Sequence, residues 1–229
     1  MNRKFDLVAL LPMKANSERV AGKNFKNFCG KPLFRWMLDN LLKIDRVNAV
    51  VINTDAEQLL RNHGLPDDPR IVIHDRPEEI CGDLVSMNRI IENDLSRIDA
   101  RHFLMTHTTN PLLTVQSIES ALDLYLDSTA YDSAFSVNRI QTRFYDENAA
   151  AINHDPTNLL RTQDLPPWFE ENSNFYLFTP ESFAKTNARI GDKPLMVETE
   201  PFESTDIDTP ADWELAEILV DYYRQKGKI

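Results

Sequence analysis

An α/β fold, with a mostly parallel sheet covered by helices on both faces, is predicted by two observations. Short apolar runs alternate with longer segments of helical period. The runs are apolar almost throughout, as strands buried on both faces must be. Leu7 to Leu11 reads as the first strand. Pro32 then opens a helix over Leu33 to Ile44, with Leu33, Phe34, Met37, Leu38, Leu41 and Leu42 at helical spacing. Val50 to Ile52 is a second strand, Ala56 to Asn62 a short helix ended by Gly64, and Ile71 to Ile73 a third strand. Leu84 to Ile98 reads as a helix on the spacing of Leu84, Met87, Ile90, Ile91, Leu95 and Ile98. His102 to Thr106 is a strand and Val115 to Leu126 a helix. The rhythm changes after Tyr131. Ser133 to Val137 reads as a strand, but residues 138–171 are polar, turn-rich and weakly periodic. A structureless stretch of that length is unusual in a compact domain, so it reads as a small excursion, either a lid or a dimerisation element. Phe175 to Phe178 and Leu195 to Val197 return to the sheet. Thr209 as N-cap, Pro210 at N1 and Asp212 at N3 start a last helix that runs to about Gln225.

The chain has 229 residues, a length that predicts one domain over 1–229 with the excursion inserted. Its 25 Lys+Arg against 36 Asp+Glu give a net charge of −11, which argues against a nucleic-acid binder. A local cationic pocket remains compatible with that balance. No apolar run approaches the ~20 residues that span a bilayer. The basic start, Met1 to Lys4, leads into an apolar stretch too short for a signal peptide. Cys29 and Cys81 stand alone and far apart, and read as reduced thiols of a cytoplasmic protein. The five histidines have no metal-ligand spacing.

Three constellations carry chemistry. After the first strand, Lys14, Arg19 and Lys23 share a polar loop with Asn16, Asn24, Ser17 and Gly22. Ligands of open parallel sheets bind beyond the carboxyl ends of the strands, and three cations there suit a polyanion such as a triphosphate. A solvated loop with scattered lysines is the bland alternative. The spacing is neither a P-loop nor GxGxxG. Second, Gly30-Lys31-Pro32 opens a helix, which explains Gly30 and Pro32 by itself. Third, Asp206 and Asp208 flank Ile207. In extended chain they point the same way with Ile207 to the core, and two hard oxygens suit Mg²⁺. The alternative is that Asp208 helps cap the last helix and Asp206 is a turn residue. Taken together, a cationic loop and a carboxylate pair are what Mg²⁺-assisted nucleotidyl transfer needs.

From residue 7 to about 220 the sequence resembles the acylneuraminate cytidylyltransferase family. The resemblance rests on Lys14 to Asn24, on Gly30-Lys31-Pro32-Leu33, on Asn53-Thr54-Asp55 and on Arg76 to Asp83. It continues through Thr106 to Leu112, Gln163-Asp164-Leu165-Pro166, Asn172 with Tyr176, and Glu203-Ser204-Thr205-Asp206-Ile207-Asp208 with Trp213. It implies a Rossmann-like three-layer nucleotidyltransferase domain with a small dimerisation insertion, acting as a homodimer on CTP and an acidic sugar with Mg²⁺. Ser17, Lys23 and Asn24 would hold CTP together with Lys14 and Arg19. Ser86 would read the cytosine, with Asp83 beside it in the nucleotide set. Asp206 and Asp208 would ligate Mg²⁺, and Lys14, Lys23 and Asp208 would be catalytic. Asn172, Tyr176 and His107 would lie near the acceptor sugar, with Arg143 or Arg161 as partner for its carboxylate.

The departures from the family pattern concern the sugar more than the CTP chemistry. Lys14 replaces an arginine, Asn16-Ser17-Glu18-Arg19 stands for Gly-Ser-Lys-Gly, and Asn172-Ser173 for Asn-Gly. His107 replaces a glutamine and Leu113 an arginine. A divergent member acting on a nonulosonic acid or related acidic sugar is therefore expected. Two other readings stand beside it: a nucleotidyltransferase with a different sugar or nucleotide, and a non-catalytic nucleotide-sugar binding protein. Among single residues, His107 reads equally as a strand-end histidine, and Asp55 and Asp83 as helix N-caps. Phe144, Trp168 and Phe169 read as packing in the excursion or a dimer interface rather than as a sugar platform.

Overall fold

The computed structural model describes residues 5–229, so the basic start, Met1 to Lys4, lies outside the described residues. The chain runs through strand β1 (Phe5–Leu10), a short antiparallel pair β2 (Asn27–Phe28) and β3 (Lys31–Pro32), and helix α1 (Leu33–Lys43). It continues through β4 (Ala49–Thr54), α2 (Glu57–Asn62), β5 (Ile71–Asp75), α3 (Met87–Leu95), β6 (Ala100–Thr106) and α4 (Val115–Leu126). Then come β7 (Ser133–Ile140), β8 (Trp168–Phe178), α5 (Pro180–Thr186), β9 (Pro194–Glu198) and α6 (Pro210–Gln225). Seven strands form one sheet in the order β5-β4-β1-β6-β8-β7-β9.

Every neighbouring pair from β5 to β6 is parallel, β8 is antiparallel to both β6 and β7, and β9 is parallel to β7. The mostly parallel α/β sheet expected from the alternation is therefore present. Its strands send alternate side chains to opposite faces. Leu7 and Ala9 of β1 join one core with Phe34, Met37, Leu38 and Leu41 of α1 and Ile118 and Leu122 of α4. Val8 and Leu10 join a second core with Ile91 of α3 and Phe183 of α5. A third cluster packs Phe28, Trp36 and Ile207 against Trp213, Ala216 and Val220 of α6.

Two boundaries differ from the sequence expectation. The helix expected from Leu84 starts at Met87, because Ser86 caps it by accepting the Asn88 N–H. Leu84, counted as an apolar helix position, is fully exposed. The polar segment 138–171 is also not all loop. Its ends belong to β7 and β8, which pair from Val137↔Glu171 to Ile140↔Trp168. Only residues 141–167 leave the sheet, closed by a Tyr145↔Ala151 bridge and by Phe144 stacked on Trp168. Among the described residues no helix is long and apolar enough to cross a membrane.

Candidate functional site

The chain winds from β1 outward to β4 and β5, then returns to lay β6 on the other side of β1. Such a reversal leaves a crevice beyond the carboxyl ends of the two central strands. There the loops after β1 and β6 enclose a cavity of about 380 Å³, lined by Lys14, Ser17, Arg19, Lys23, His107 and Asp208 among others. Asn24, Arg76, Asp83 and Thr109 also line it.

Local chemistry fixes the loop after β1. Gly22 takes the left-handed conformation (φ 59°) that starts the single turn Lys23–Phe25 and turns Lys23 inward. Lys23 is buried. Its ammonium donates to the Ile207 carbonyl at 2.7 Å and lies 3.3 Å from Asp208 Oδ1. Arg19 holds the other Asp208 oxygen at 2.9 Å. Residues nearly two hundred positions apart therefore meet at one point. Asn24, also buried, donates to the Lys14 carbonyl at 3.0 Å and accepts the Thr108 hydroxyl at 2.7 Å, tying the two loops together. Asp55 is not a helix cap: it accepts the Ala15 N–H at 2.7 Å and anchors the loop to the end of β4. Nor is Asp83. It forms a short ion pair with Lys14, whose hydrogen bond holds its carboxyl below the usual range.

Ile207 is fully buried, as the alternation in Asp206-Ile207-Asp208 requires, and its N–H donates to the Thr109 carbonyl at 2.9 Å. Asp206 is exposed and, unlike Asp208, does not line the cavity; the protein packed around it still raises its carboxyl above the usual range. A hydrogen bond with the Thr109 side chain opposes that rise, and Asp208 adds to it. Thr209 and Asp212 form the expected capping box, with Pro210 at N1. Thr209 and Asp212 satisfy the helix terminus, so Asp208 is left to face Arg19 and Lys23. Among the described residues, no group of three or more His, Cys, Asp or Glu is placed to hold a metal. A cation here would draw its remaining ligands from substrate and water, as Mg²⁺ does.

The other expected site residues divide. His107, at the end of β6, lines the cavity beside Lys23 and Asp208. Burial pushes its imidazole down to about 4, with Arg189 and Lys23 adding to the shift. Tyr176 is buried behind it, its hydroxyl bonded to Glu171. Ser86 is spent on capping α3. Arg143 donates to the Leu160 carbonyl and Arg161 pairs with Asp164. Both lie in the excursion and neither lines the cavity. Asn172 also points elsewhere, donating to Asn138 and Thr199 at 2.9 Å each. Two arginines that the sequence reading did not single out stand at the cavity or beside it. Arg76 is buried under the cavity, donating to Asn53 Oδ1 at 2.7 Å and to the carbonyls of Asn53 and Met13. Arg189 sits next to His107. The sequence signal for Arg76 was its place before Pro77 in the stretch that carries the resemblance; Arg189 had none.

His107 gives a pH test. In the unfolded chain an imidazole protonates near 6.5, and in the fold at about 4. Between those values the unfolded chain binds a proton the folded one refuses, so stability is complete above 6.5 and falls as pH drops toward 4. Urea unfolding at pH 7 and pH 5 should show His107→Gln losing less stability than the parent chain, by on the order of 1 kcal/mol. Equal losses would mean that the imidazole titrates normally.

Residues 8–226 match the family model described as cytidylyltransferase. The chain is 27% identical over 228 residues to N-acylneuraminate cytidylyltransferase A of Danio rerio, a match covering 96% of this chain. It spans only about half of that relative, 52% of its length. It is 23% identical to the CMP-N,N'-diacetyllegionaminic acid synthase of Legionella pneumophila, over 94% of this chain and 96% of the relative. Among solved structures, a CMP:2-keto-3-deoxy-manno-octonic acid synthetase complexed with CTP shares the fold. That match has a TM-score of 0.67 at 17% identity, covering 95% of this chain and 99% of that one.

Proposed function

The chain belongs to the cytidylyltransferase family, and from that premise we propose that it transfers CMP from CTP to an acidic sugar, releasing pyrophosphate. The acceptor is an acylneuraminate or a related nonulosonic acid. One observation carries the reading: Lys14, Arg19 and Lys23 of the first loop meet Asp208, from near the other end of the chain, around one cavity at the sheet's switch point.

The anomeric hydroxyl of the sugar attacks the α-phosphate in line, and pyrophosphate leaves. Lys14, Arg19 and Lys23 offset the charge on the phosphates as it develops, the kind of fixed electrostatic contribution that dominates many transfers. Ser17 and Asn24 hold the nucleotide beside them, with Asn24 locking the loop to Thr108. Asp206 and Asp208 offer Mg²⁺ hard-oxygen donors, and Asp208 lines the cavity. When bound, Mg²⁺ would neutralise phosphate charge.

The test is pyrophosphate release with CTP, Mg²⁺ and three acceptors: N-acetylneuraminic, N,N'-diacetyllegionaminic and 2-keto-3-deoxy-manno-octonic acids. Turnover with at least one is expected. No turnover with any, while CTP demonstrably binds, would overturn the reading in favour of a non-catalytic binding protein. Greater thermal stabilisation by UTP or GTP than by CTP would favour another nucleotide. The proposal extends to a homodimer in the cytoplasm. Exposed Leu159, Leu160, Trp168 and Phe169 in and beside the excursion support an apolar contact surface there. Light scattering at the mass of one chain would exclude the dimer.

A further inference from the structure

The carboxylate of the proposed acceptor needs a cation, and within one chain neither Arg143 nor Arg161 lines the cavity. Arg189 does not line it either, but it lies against His107, which does. It follows α5 and the left-handed Asn187 (φ 52°), which turns the chain back toward β6. Its guanidinium carbon sits 3.6 Å from the centre of the Tyr176 ring. Nη2 donates to the Tyr176 hydroxyl at 2.8 Å and lies 3.3 Å from Glu171 Oε1. Nη1 faces only weak acceptors, His107 Nε2 at 3.4 Å and Met105 Sδ at 3.8 Å.

Three features set this guanidinium apart from a structural ion pair. Its one carboxylate neighbour, Glu171, is 43% exposed and also takes the Tyr176 hydroxyl. Among the described residues Nη1 faces no carboxylate, only the imidazole nitrogen and the thioether. That edge lies against His107, which lines the cavity together with Lys23 and Asp208. A sugar joined to the α-phosphate needs room beside the phosphate-binding cations, and His107 is a cavity residue that Arg189 touches. We propose that Arg189 determines acceptor specificity by receiving the sugar carboxylate on the guanidinium edge that now faces His107 and Met105. The planar fork, held flat on Tyr176, offers a carboxylate the paired geometry that a lysine lacks. Glu171 keeps the other edge fixed, so the fork is oriented before the sugar arrives.

The inference rests on the cytidylyl-transfer reading, and its test separates the two. Kinetics of Arg189→Met and Arg189→Lys are measured with the acceptor acid that the parent enzyme turns over, and with the methyl ester of that acid. Arg189→Met should raise KM for the acid by about 10–100-fold, with KM for CTP and the melting temperature little changed. Arg189→Lys should recover part of the loss. The ester should be a poor acceptor for the parent enzyme and no worse for Arg189→Met. A KM for the acid within about twofold of the parent in Arg189→Met, with the parent active, would overturn the Arg189 assignment alone. A similar loss with acid and ester would also overturn it, pointing to a structural role. If the parent enzyme turns over none of the three acids while binding CTP, the transfer reading falls and the Arg189 assignment falls with it.

Discussion

Replacing Lys23 with methionine is expected to lower pyrophosphate release by about 10²–10³-fold, the usual cost of removing one fixed charge-stabilising donor. The sequence puts Lys23 straight after a glycine whose left-handed backbone starts a single turn. That turn buries the lysine stem and leaves its ammonium 2.7 Å from the Ile207 carbonyl and 3.3 Å from Asp208. Methionine fills much of the stem's volume and removes the charge together with its hydrogen bond to the Ile207 carbonyl. Asp208 keeps Arg19 as a partner, and its side chain is 36% exposed. The stability change should therefore stay at about 1–3 kcal/mol, the cost of leaving the buried Ile207 carbonyl without its donor. Rate and melting temperature measured on one preparation separate the two effects. A near-parental rate would remove Lys23 from the transfer chemistry.

The largest loss of stability is expected at Glu203. This carboxylate is fully buried, yet among the described residues no cation accounts for it; four hydrogen-bond donors do. It accepts the Thr114 N–H at 2.9 Å, the Thr114 hydroxyl at 2.6 Å, the Ser117 hydroxyl at 2.8 Å and the Glu200 N–H at 3.1 Å. The two from Thr114 and the one from Ser117 belong to the start of α4, whose free N–H groups favour a negative charge. Glu203 thus pins the segment carrying Asp206 and Asp208 to a helix on the far side of the β6 loop. Glu203→Ala should cost roughly 3–5 kcal/mol, because it strands several buried donors at once. Glu203→Gln should fall between, since its amide keeps one acceptor and turns an NH₂ toward donors. Reversible urea unfolding checks both. A loss under about 1 kcal/mol for the alanine variant would mean that water replaces the carboxylate freely.

What the sequence revealed, and what it concealed, follows from how locally each feature is determined. Strands β1, β4 and β6 were legible because burial on both faces makes their central residues an apolar run. The reversed direction of β8 was not, because its pairing with β6 and β7 is decided by contacts across the chain. Leu84 misled the α3 start, because periodicity counts apolar residues and Ser86 ends the helix whatever stands before it. In the site, Lys14, Arg19, Lys23 and Asp208 were legible by residue type and by their position at the ends of elements. Asp55 and Asp83 resembled caps, yet their partners are Ala15 and Lys14 in another loop. The resemblance put Arg143 or Arg161 at the sugar carboxylate, and chain order does not say where residues 141–167 come to rest. Arg189 lies in a turn between α5 and β9 with no motif around it, and only the fold brings it to His107.

The contact of Asp208 with both Arg19 and Lys23 has one more consequence. The resting loop already carries its own tethered counter-ion, so every incoming anion must first compete with a carboxylate that cannot diffuse away. That competition subtracts the same amount from all of them. A small monovalent ion has nothing left over, whereas a polyvalent ligand spreading its charge from Lys14 to Lys23 still gains. The loop thereby selects for valence before any base or sugar is read, and orthophosphate should be a poor inhibitor of a site built from three cations.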